Sequence, residues 1–332
     1  MKCSIAKVSP FLSICLISLV SCLNNADRTN PLDPKSENFK NAGSVSGQTL
    51  SFYSPFTPLS EVKIQMEPGF FSAKSNSQGQ FVLSNIPVGS YRISAGKEGY
   101  APDTVSVDVQ LGQTTQVQLN LDALPGISNI SITSSHISRW WPQNDLYLLR
   151  VIAQVEDLDG LNDIELVQIQ IPELNFLDTL EVTQTLGTFM KNIPQSQLPG
   201  GKLQDVLGRD IFLSAHDRAG FQTRSRPNFL ARIIEESPEF EAPTGQEILL
   251  VPRPLLIWRL ITLPFNFSYS VEVVRVDQGI NNVVWTLSDI DNTMNSVTVA
   301  DSLVTGIYFW TISVVDEFGN LSRSKEAGFR IE

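Results

Sequence analysis

Cysteine is nearly absent from this chain: 332 residues hold three, Cys3, Cys15 and Cys22, all close to the N-terminus. Everything after Cys22 is therefore without an internal disulfide and must fold on packing and hydrogen bonding. Histidine is scarcer still, with only His136 and His216. Two dispersed imidazoles argue against a histidine-based zinc centre, and the neighbours His216 and Asp217 cannot orient one another as members of a Ser/His/Asp triad do. Positive charge is also short, since 24 Lys and Arg face 35 Asp and Glu for a formal net charge of −11. That balance disfavours nucleic acid and anionic lipid surfaces as partners. No cofactor motif stands out: Gly200-Gly201-Lys202 lacks the upstream Gly and following Ser or Thr of a phosphate loop and reads as a turn. Only one apolar run is long, and it sits at the start of the chain. The remainder is expected to be soluble.

That run, Val8 to Val20, follows the positive residues Lys2 and Lys7 and is broken only by Ser and Pro10. It is too short for a permanent transmembrane helix and has the pattern of a secretory signal peptide. Its last residues, Leu19-Val20-Ser21 immediately before Cys22, resemble the lipobox of bacterial lipoproteins. The resemblance implies cleavage before Cys22, diacylation of its thiol and acylation of the new N-terminus. A plain signal peptide containing a cysteine and an uncleaved anchor are the simpler alternatives. Two or more acyl chains give stable anchoring where one does not, so the expected attachment is to a membrane through the N-terminal lipid. Leu23 stands where an Asp would be the inner-membrane retention signal of some Gram-negative bacteria, which leans the expectation toward the outer membrane. Without Lys2 and Lys7 the net charge of the mature chain falls to about −13.

Residues 22–42, polar and rich in Asn, Asp and Pro with no apolar period, read as a lipidated flexible tether. Fully extended they reach on the order of 60 Å. From 43 to 123 apolar residues alternate with period two: Val62-Ile64-Met66, Phe81-Leu83, Tyr91-Ile93-Ala95, Val105-Val107-Val109-Leu111 and Val117-Leu119-Leu121. These are short half-buried strands. Gly79-Gln80-Phe81, Asn85-Ile86-Pro87-Val88-Gly89-Ser90-Tyr91 and Lys97-Glu98-Gly99-Tyr100 also resemble the carboxypeptidase regulatory-like, transthyretin-like β-sandwich family. Despite its name, the resemblance carries no peptidase residues; it implies a spacer or binding support.

Residues 124–236 hold apolar strands at Leu146 to Val155, Leu166 to Ile171 and Ile211 to Ala215, with a short helix expected within Gln195 to Leu207. An Ig-like sandwich fits this segment. In 237–332 the strands Leu256-Ile257-Trp258, Phe267 to Val273, Val283-Val284-Trp285, Val297 to Val299 and Tyr308-Phe309-Trp310-Thr311-Ile312 resemble a bacterial fibronectin type III domain. That resemblance implies a corner in which the Tyr308 hydroxyl bonds nearby backbone. Asp217, Gly220, Arg224 and Ser225 recur as Asp316, Gly319, Arg323 and Ser324 at a constant offset. The second and third segments are therefore expected to share one hairpin, Asp opening the turn and Gly taking its left-handed position. The fold class that follows is all-β: three tandem β-sandwiches behind a signal peptide and tether.

Two features are candidate sites. Asp157, Asp159, Asn162 and Asp163 could offer oxygens to calcium, although Gly160 sits too early for an EF-hand and no Glu closes the loop; a solvated β-turn is the simpler reading. Trp140 and Trp141 are adjacent, so on a strand one indole faces away from the core. An exposed indole stacks on sugar rings or marks a contact surface; the plainer alternative has both rings capping the junction between the first and second domains. Nothing in the sequence requires catalysis. The function expected is a non-enzymatic scaffold, spacer or binding module in the cell envelope, with a protein or glycan partner. The competing readings are an accessory polysaccharide-binding lipoprotein and a hydrolase with an unrecognised carboxylate site.

Overall fold

A computed structural model of the chain describes residues 33, 35, 36, 38, 39 and 41–332. The signal peptide, Cys22 and most of the tether lie outside the described residues. Among those described, no helix is long and apolar enough to cross a membrane. The chain forms two compact units, one ending at Ala123 and one running from Leu124 to Glu332.

The first unit contains β1 (Ala42–Ser51), β2 (Lys63–Glu67), β3 (Phe71–Lys74), β4 (Gln80–Pro87), β5 (Gly89–Gly96), β6 (Asp103–Val109) and β7 (Thr114–Leu121). They make two sheets, ordered β4-β1-β7 and β3-β2-β5-β6. The period-two pattern marks the inward face: Val45, Ile64, Met66, Phe81, Leu83, Ile93, Val107, Leu119 and Leu121 form one buried core, with Val105 and Val117 partly buried against it. Leu111 falls beyond β6, in the turn before β7, and is exposed. Tyr91 donates its hydroxyl to the Pro87 carbonyl at 2.9 Å, so the Pro-x-Gly-x-Tyr run closes a corner of this sandwich.

The second unit opens with β8 (Gly126–Ile137), β9 (Leu146–Glu156), β10 (Ile164–Ile171), β11 (Phe176–Val182), β12 (Thr188–Pro194), β13 (Phe212–Asp217) and β14 (Gln222–Arg224). It continues with β15 (Phe240–Ala242), β16 (Glu247–Leu249), β17 (Leu255–Trp258), β18 (Phe267–Asp277), β19 (Ile280–Asp291), β20 (Ser296–Thr298), β21 (Gly306–Asp316), β22 (Leu321–Arg323) and β23 (Ala327–Ile331). Two hydrophobic cores fill it. One is built on Leu149, Val151, Val167, Ile169, Phe189, Leu213 and Leu230; the other on Trp258, Tyr269, Val271, Trp310, Ile312 and Phe329. Ile234 belongs to the latter core, so the change of core precedes Ser237 by a few residues. In place of the expected helix within Gln195 to Leu207 are two short 3-10 turns, Gln195–Gln197 and Leu203–Val206. Pro199-Gly200-Gly201 separates them, and Pro and Gly both oppose continuation of a helix.

Both copies of the repeated hairpin are present, built from β13 and β14 and from β21 and β22. Gly220 and Gly319 take φ of 95° and 85°, the left-handed region that Gly enters without steric cost. In each copy the serine holds the facing strand in the same way. Leu213 N donates to Ser225 Oγ at 3.0 Å, and Ile312 N donates to Ser324 Oγ at 3.0 Å. The Tyr308 hydroxyl donates to Val304 O at 2.7 Å, which is the tyrosine corner expected of the last sandwich.

What joins the two sandwiches of the second unit is a ladder. β22 pairs in parallel with β8 through Leu321↔Ser135, Ser322↔His136 and Arg323↔Ile137, so one hydrogen-bonded path runs β14-β13-β10-β11-β12-β9-β8-β22-β21-β18-β19.

Candidate functional site

The seam between β8 and β22 is lined by polar side chains, which the Ser-rich sequence of β8 supplies at the inward positions of its second half. Ser134, His136, Asn320 and Ser322 are all buried. Ser134 N donates to Asn320 Oδ1 at 2.8 Å, and the Ser134 hydroxyl donates to the Arg232 carbonyl at 2.9 Å. His136 lies at the centre: Nδ1 is 2.9 Å from Ser322 Oγ, Nε2 is 3.0 Å from Asp145 Oδ2, and the ring stacks on Tyr147 at 4.4 Å between centroids. Ser138 donates to the same Asp145 oxygen at 3.2 Å and meets Ser237 Oγ at 3.0 Å. Burial pushes the Asp145 carboxyl up, but the bonds from His136 and Ser138 and the charge of Lys325 outweigh it and hold the group below its ordinary value.

Ser322, His136 and Asp145 thus have the connectivity of a nucleophile, base and orienting acid. Access is missing: His136 is 2% exposed and Ser322 is wholly buried beneath the ladder. A hydroxyl so placed cannot meet a substrate carbonyl, whereas buried polar groups that are all hydrogen-bonded fix a unique packing. His216, on β13, takes no part in this chain of bonds.

Above the seam opens a cleft of about 530 Å³, lined by Ser138, Gln143, Asp145, Ser237, Glu239 and Lys325 together with Pro238 and Phe240. Trp140 lies against the last sandwich beside it. Its indole N–H donates to Glu326 O at 2.8 Å, Lys325 Nζ sits 4.7 Å over the ring, and Phe240 packs at 6.4 Å. The junction that this ring covers is therefore the one between the second and third sandwiches, because β8 leads straight from the seam into residues 138–145. Trp141 points the other way and is 81% exposed. Of the two adjacent indoles, one is anchored and one is presented.

The acidic turn lies elsewhere, after β9. Asp157 Oδ1 accepts from Asp159 N at 2.8 Å. A 3-10 turn, Leu161–Asp163, then buries Asp163. Asn162 is exposed, and its carbonyl rather than its side chain is used, accepting from Arg218 Nε at 2.7 Å. A residue that sequence spacing does not join to this turn stands beside it. β10 pairs with β13 so that Ile164 faces Asp217, and Arg218 N donates to Asp163 O at 2.9 Å. Burial, together with the fields of Asp163, Asp159 and Asp217, raises Asp157 to about 6 against the bond from Asp159 N.

With this geometry in view, comparison with known proteins gives a family for part of the chain. Residues 54–122 match the carboxypeptidase regulatory-like domain, which places that domain in the first unit. No curated protein sequence matches the chain. Among solved structures, the chicken CNTN1 FN1–FN3 domains align with TM-score 0.31 and 11% identity, covering 82% of this chain and 90% of that one. The fibronectin(III)-like modules of Clostridium thermocellum CbhA align with TM-score 0.28 and 10% identity, over 63% and 94%. A putative carbohydrate binding protein from Bacteroides uniformis aligns with TM-score 0.24 and 8% identity, over 57% and 99%. The fold class, all-β, is given by the strands and sheets of the chain itself.

Proposed function

We propose that this chain is a non-enzymatic, lipid-anchored cell-envelope protein whose β-sandwiches act as a scaffold that holds a binding surface away from the membrane. The observation that supports the scaffold reading best is the seam. A parallel ladder and a buried set of hydrogen bonds from Ser134, His136 and Ser138 fasten the two sandwiches of the second unit to one another. Such a joint suits a spacer or display element, because the surface carried by one sandwich keeps a fixed relation to the other. The anchor rests on Leu19-Val20-Ser21-Cys22 behind a positive, apolar leader, and the location proposed is the outer membrane of a Gram-negative bacterium. Replacing Cys22 with Ala tests the anchor directly. Membrane fractionation should then find the protein soluble; sedimentation of the variant with membranes would overturn the reading.

A second reading is binding of a polysaccharide in support of glycan degradation or uptake. It is favoured by the presented indole of Trp141 and, separately, by a cleft whose lining includes carboxylates, hydroxyls and an amide, since aromatic faces and convergent polar groups are what sugar rings bind. A hydrolase remains the third reading. Turnover of an envelope polymer by the purified chain, lost on a single Asp or Glu change, would favour it over both others.

A further inference from the structure

Two adjacent phenylalanines at the β2–β3 turn have opposite fates. Phe71 packs on the core of the first unit and meets Tyr91 edge-on at 6.2 Å. Its ring closes over Gly69, where a Cβ would lie 2.5 Å from it, so the inward place at this turn is taken. Phe70 is 96% exposed, the most of any large apolar side chain described. The packing of the sandwich gives that ring no role.

Register places the turn. β2 reaches it at Glu67, opposite Arg92 near the start of β5, and Gly89, where β5 begins, faces Val109 at the end of β6. β1 begins at Ala42, opposite Pro87 at the end of β4. One end of the sandwich therefore gathers the β2–β3, β4–β5 and β6–β7 connections together with the entry of the chain. Each connection presents an apolar side chain, Phe70, Val88 and Leu111 in turn, and all three are exposed. Val88 and Leu111 flank the entry itself: Val88 N donates to Asn41 O at 3.2 Å, and Gly112, next to Leu111, donates its N–H to Ala42 O at 3.0 Å. The chain leaves from the opposite end, where Leu121 of β7 lies beside Ser51 of β1. Apolar side chains scattered singly are ordinary on a surface, whereas a group of them marks a contact. The charged residues beside this group, Glu67, Arg92 and Asp108, are exposed and of both signs. With no basic cluster among them, they suit a zwitterionic surface and offer nothing to an anionic one.

We propose that this end of the first sandwich seats on a zwitterionic phospholipid surface, with Phe70 entering the headgroup region and Val88 and Leu111 resting at its edge. The inference rests on the lipid-anchored reading, because the segment that runs back to Cys22 departs from this end. Alone the contact is weak. Even a single myristoyl chain binds membranes only marginally and reversibly, and three side chains at an interface fall in the same range, so a Cys22→Ala chain stays in the soluble fraction. Once the tether holds the sandwich at the surface, the contact orients it, with the end from which β7 leaves turned away from the bilayer.

The test uses the chain from Cys22 to Glu332, joined through the thiol of Cys22, its only cysteine, to a maleimide-bearing phospholipid in phosphatidylcholine vesicles. Lipid supplied chemically makes the result independent of whether a cell acylates Cys22, which the membrane fractionation of the Cys22→Ala chain decides separately. All five native tryptophans follow Leu124, and the parent chain measures their background. Phe70→Trp keeps an aromatic ring at an unpacked position and adds one reporter; Phe52→Trp adds one in the loop after β1, at the opposite end and also exposed. With acyl chains spin-labelled near their glycerol end, the emission added by Phe70→Trp should be quenched, at the depth of about 5–10 Å that interfacial apolar groups reach, and that added by Phe52→Trp should not. Unquenched Phe70→Trp emission, or equal quenching of both reporters, would overturn the proposal. So would Phe70→Trp emission that shifts with protein density on label-free vesicles, which would assign this end to a second copy of the chain.

Discussion

His136 Nδ1 lies 2.9 Å from Ser322 Oγ across the ladder that joins the two sandwiches of the second unit. The bond spans 186 residues of sequence, so the imidazole reports on whether both sandwiches are in place. Replacing His136 with Ala removes the side-chain partner of Ser322 and one of the two donors to Asp145 and leaves a void beside Tyr147. Losing partners for buried groups and the packing of one ring should cost about 2–4 kcal/mol. Equilibrium urea unfolding checks this. Tryptophan emission from Trp258 and Trp310, in the other core, should shift to lower urea together with the backbone signal; an unchanged tryptophan transition would show that the seam does not couple the cores.

The acidic turn predicts a stabilising substitution. Asp157→Asn removes like-charge repulsion and desolvation from a carboxyl raised to about 6, so the variant should be more stable than the parent at pH 7.5. The pH dependence follows in sign. A carboxyl raised on folding binds more protons in the native state, so stability should fall as pH rises from about 4 to about 6 and level off above that window. The side chain is only partly buried, and the effect is discounted accordingly to about 1 kcal/mol. Thermal melts of both chains between pH 4 and pH 8 measure it.

The two tyrosine corners can be compared in one experiment. Tyr91→Phe and Tyr308→Phe each delete a single bond to a carbonyl, at Pro87 and Val304. Each should cost about 1 kcal/mol. Because the corners belong to different compact units, differential scanning calorimetry should show each change lowering a different transition; equal shifts of one common transition would contradict that.

Trp141→Ala should leave stability within about 0.5 kcal/mol, since the indole is exposed. If the polysaccharide reading holds, affinity electrophoresis through gels containing envelope or dietary glycans should show lost retardation. Equal mobility of parent and variant in every gel removes that reading. Trp140→Ala serves as a contrast, because it also breaks the bond to Glu326 and the packing on Phe240, and should lower Tm.

Much of this fold is readable from residues alone because its strands are half-buried. The alternation of Tyr91-Ile93-Ala95 or Tyr269-Val271-Val273 states which face is the core, and every one of those side chains is buried. The hairpin echo was equally legible, since Asp, Gly and Ser each carry a local backbone task that repeats with them. The seam was not. Ser134, His136 and Ser322 have no apolar period, and they become buried only because a strand from far along the chain covers them. Short strands such as β3, β15 and β16 offer too few residues for alternation to register. At the acidic turn, Asp157, Asp159 and Asp163 were visible as neighbours, but Asp217 comes to the same end of the sandwich only through the β10–β13 register, opposite Ile164. Its sequence signal, the start of a turn, describes one oxygen and is silent about the other.

The ladder between β8 and β22 has a hydrodynamic consequence. The segment that connects the sandwiches is itself bonded at both ends, Arg232 O to Ser134 and Ser237 Oγ to Ser138, which opposes its acting as a swivel. In solution the two sandwiches of the second unit should therefore share one rotational correlation time, and residual dipolar couplings measured on either sandwich should report a single alignment tensor.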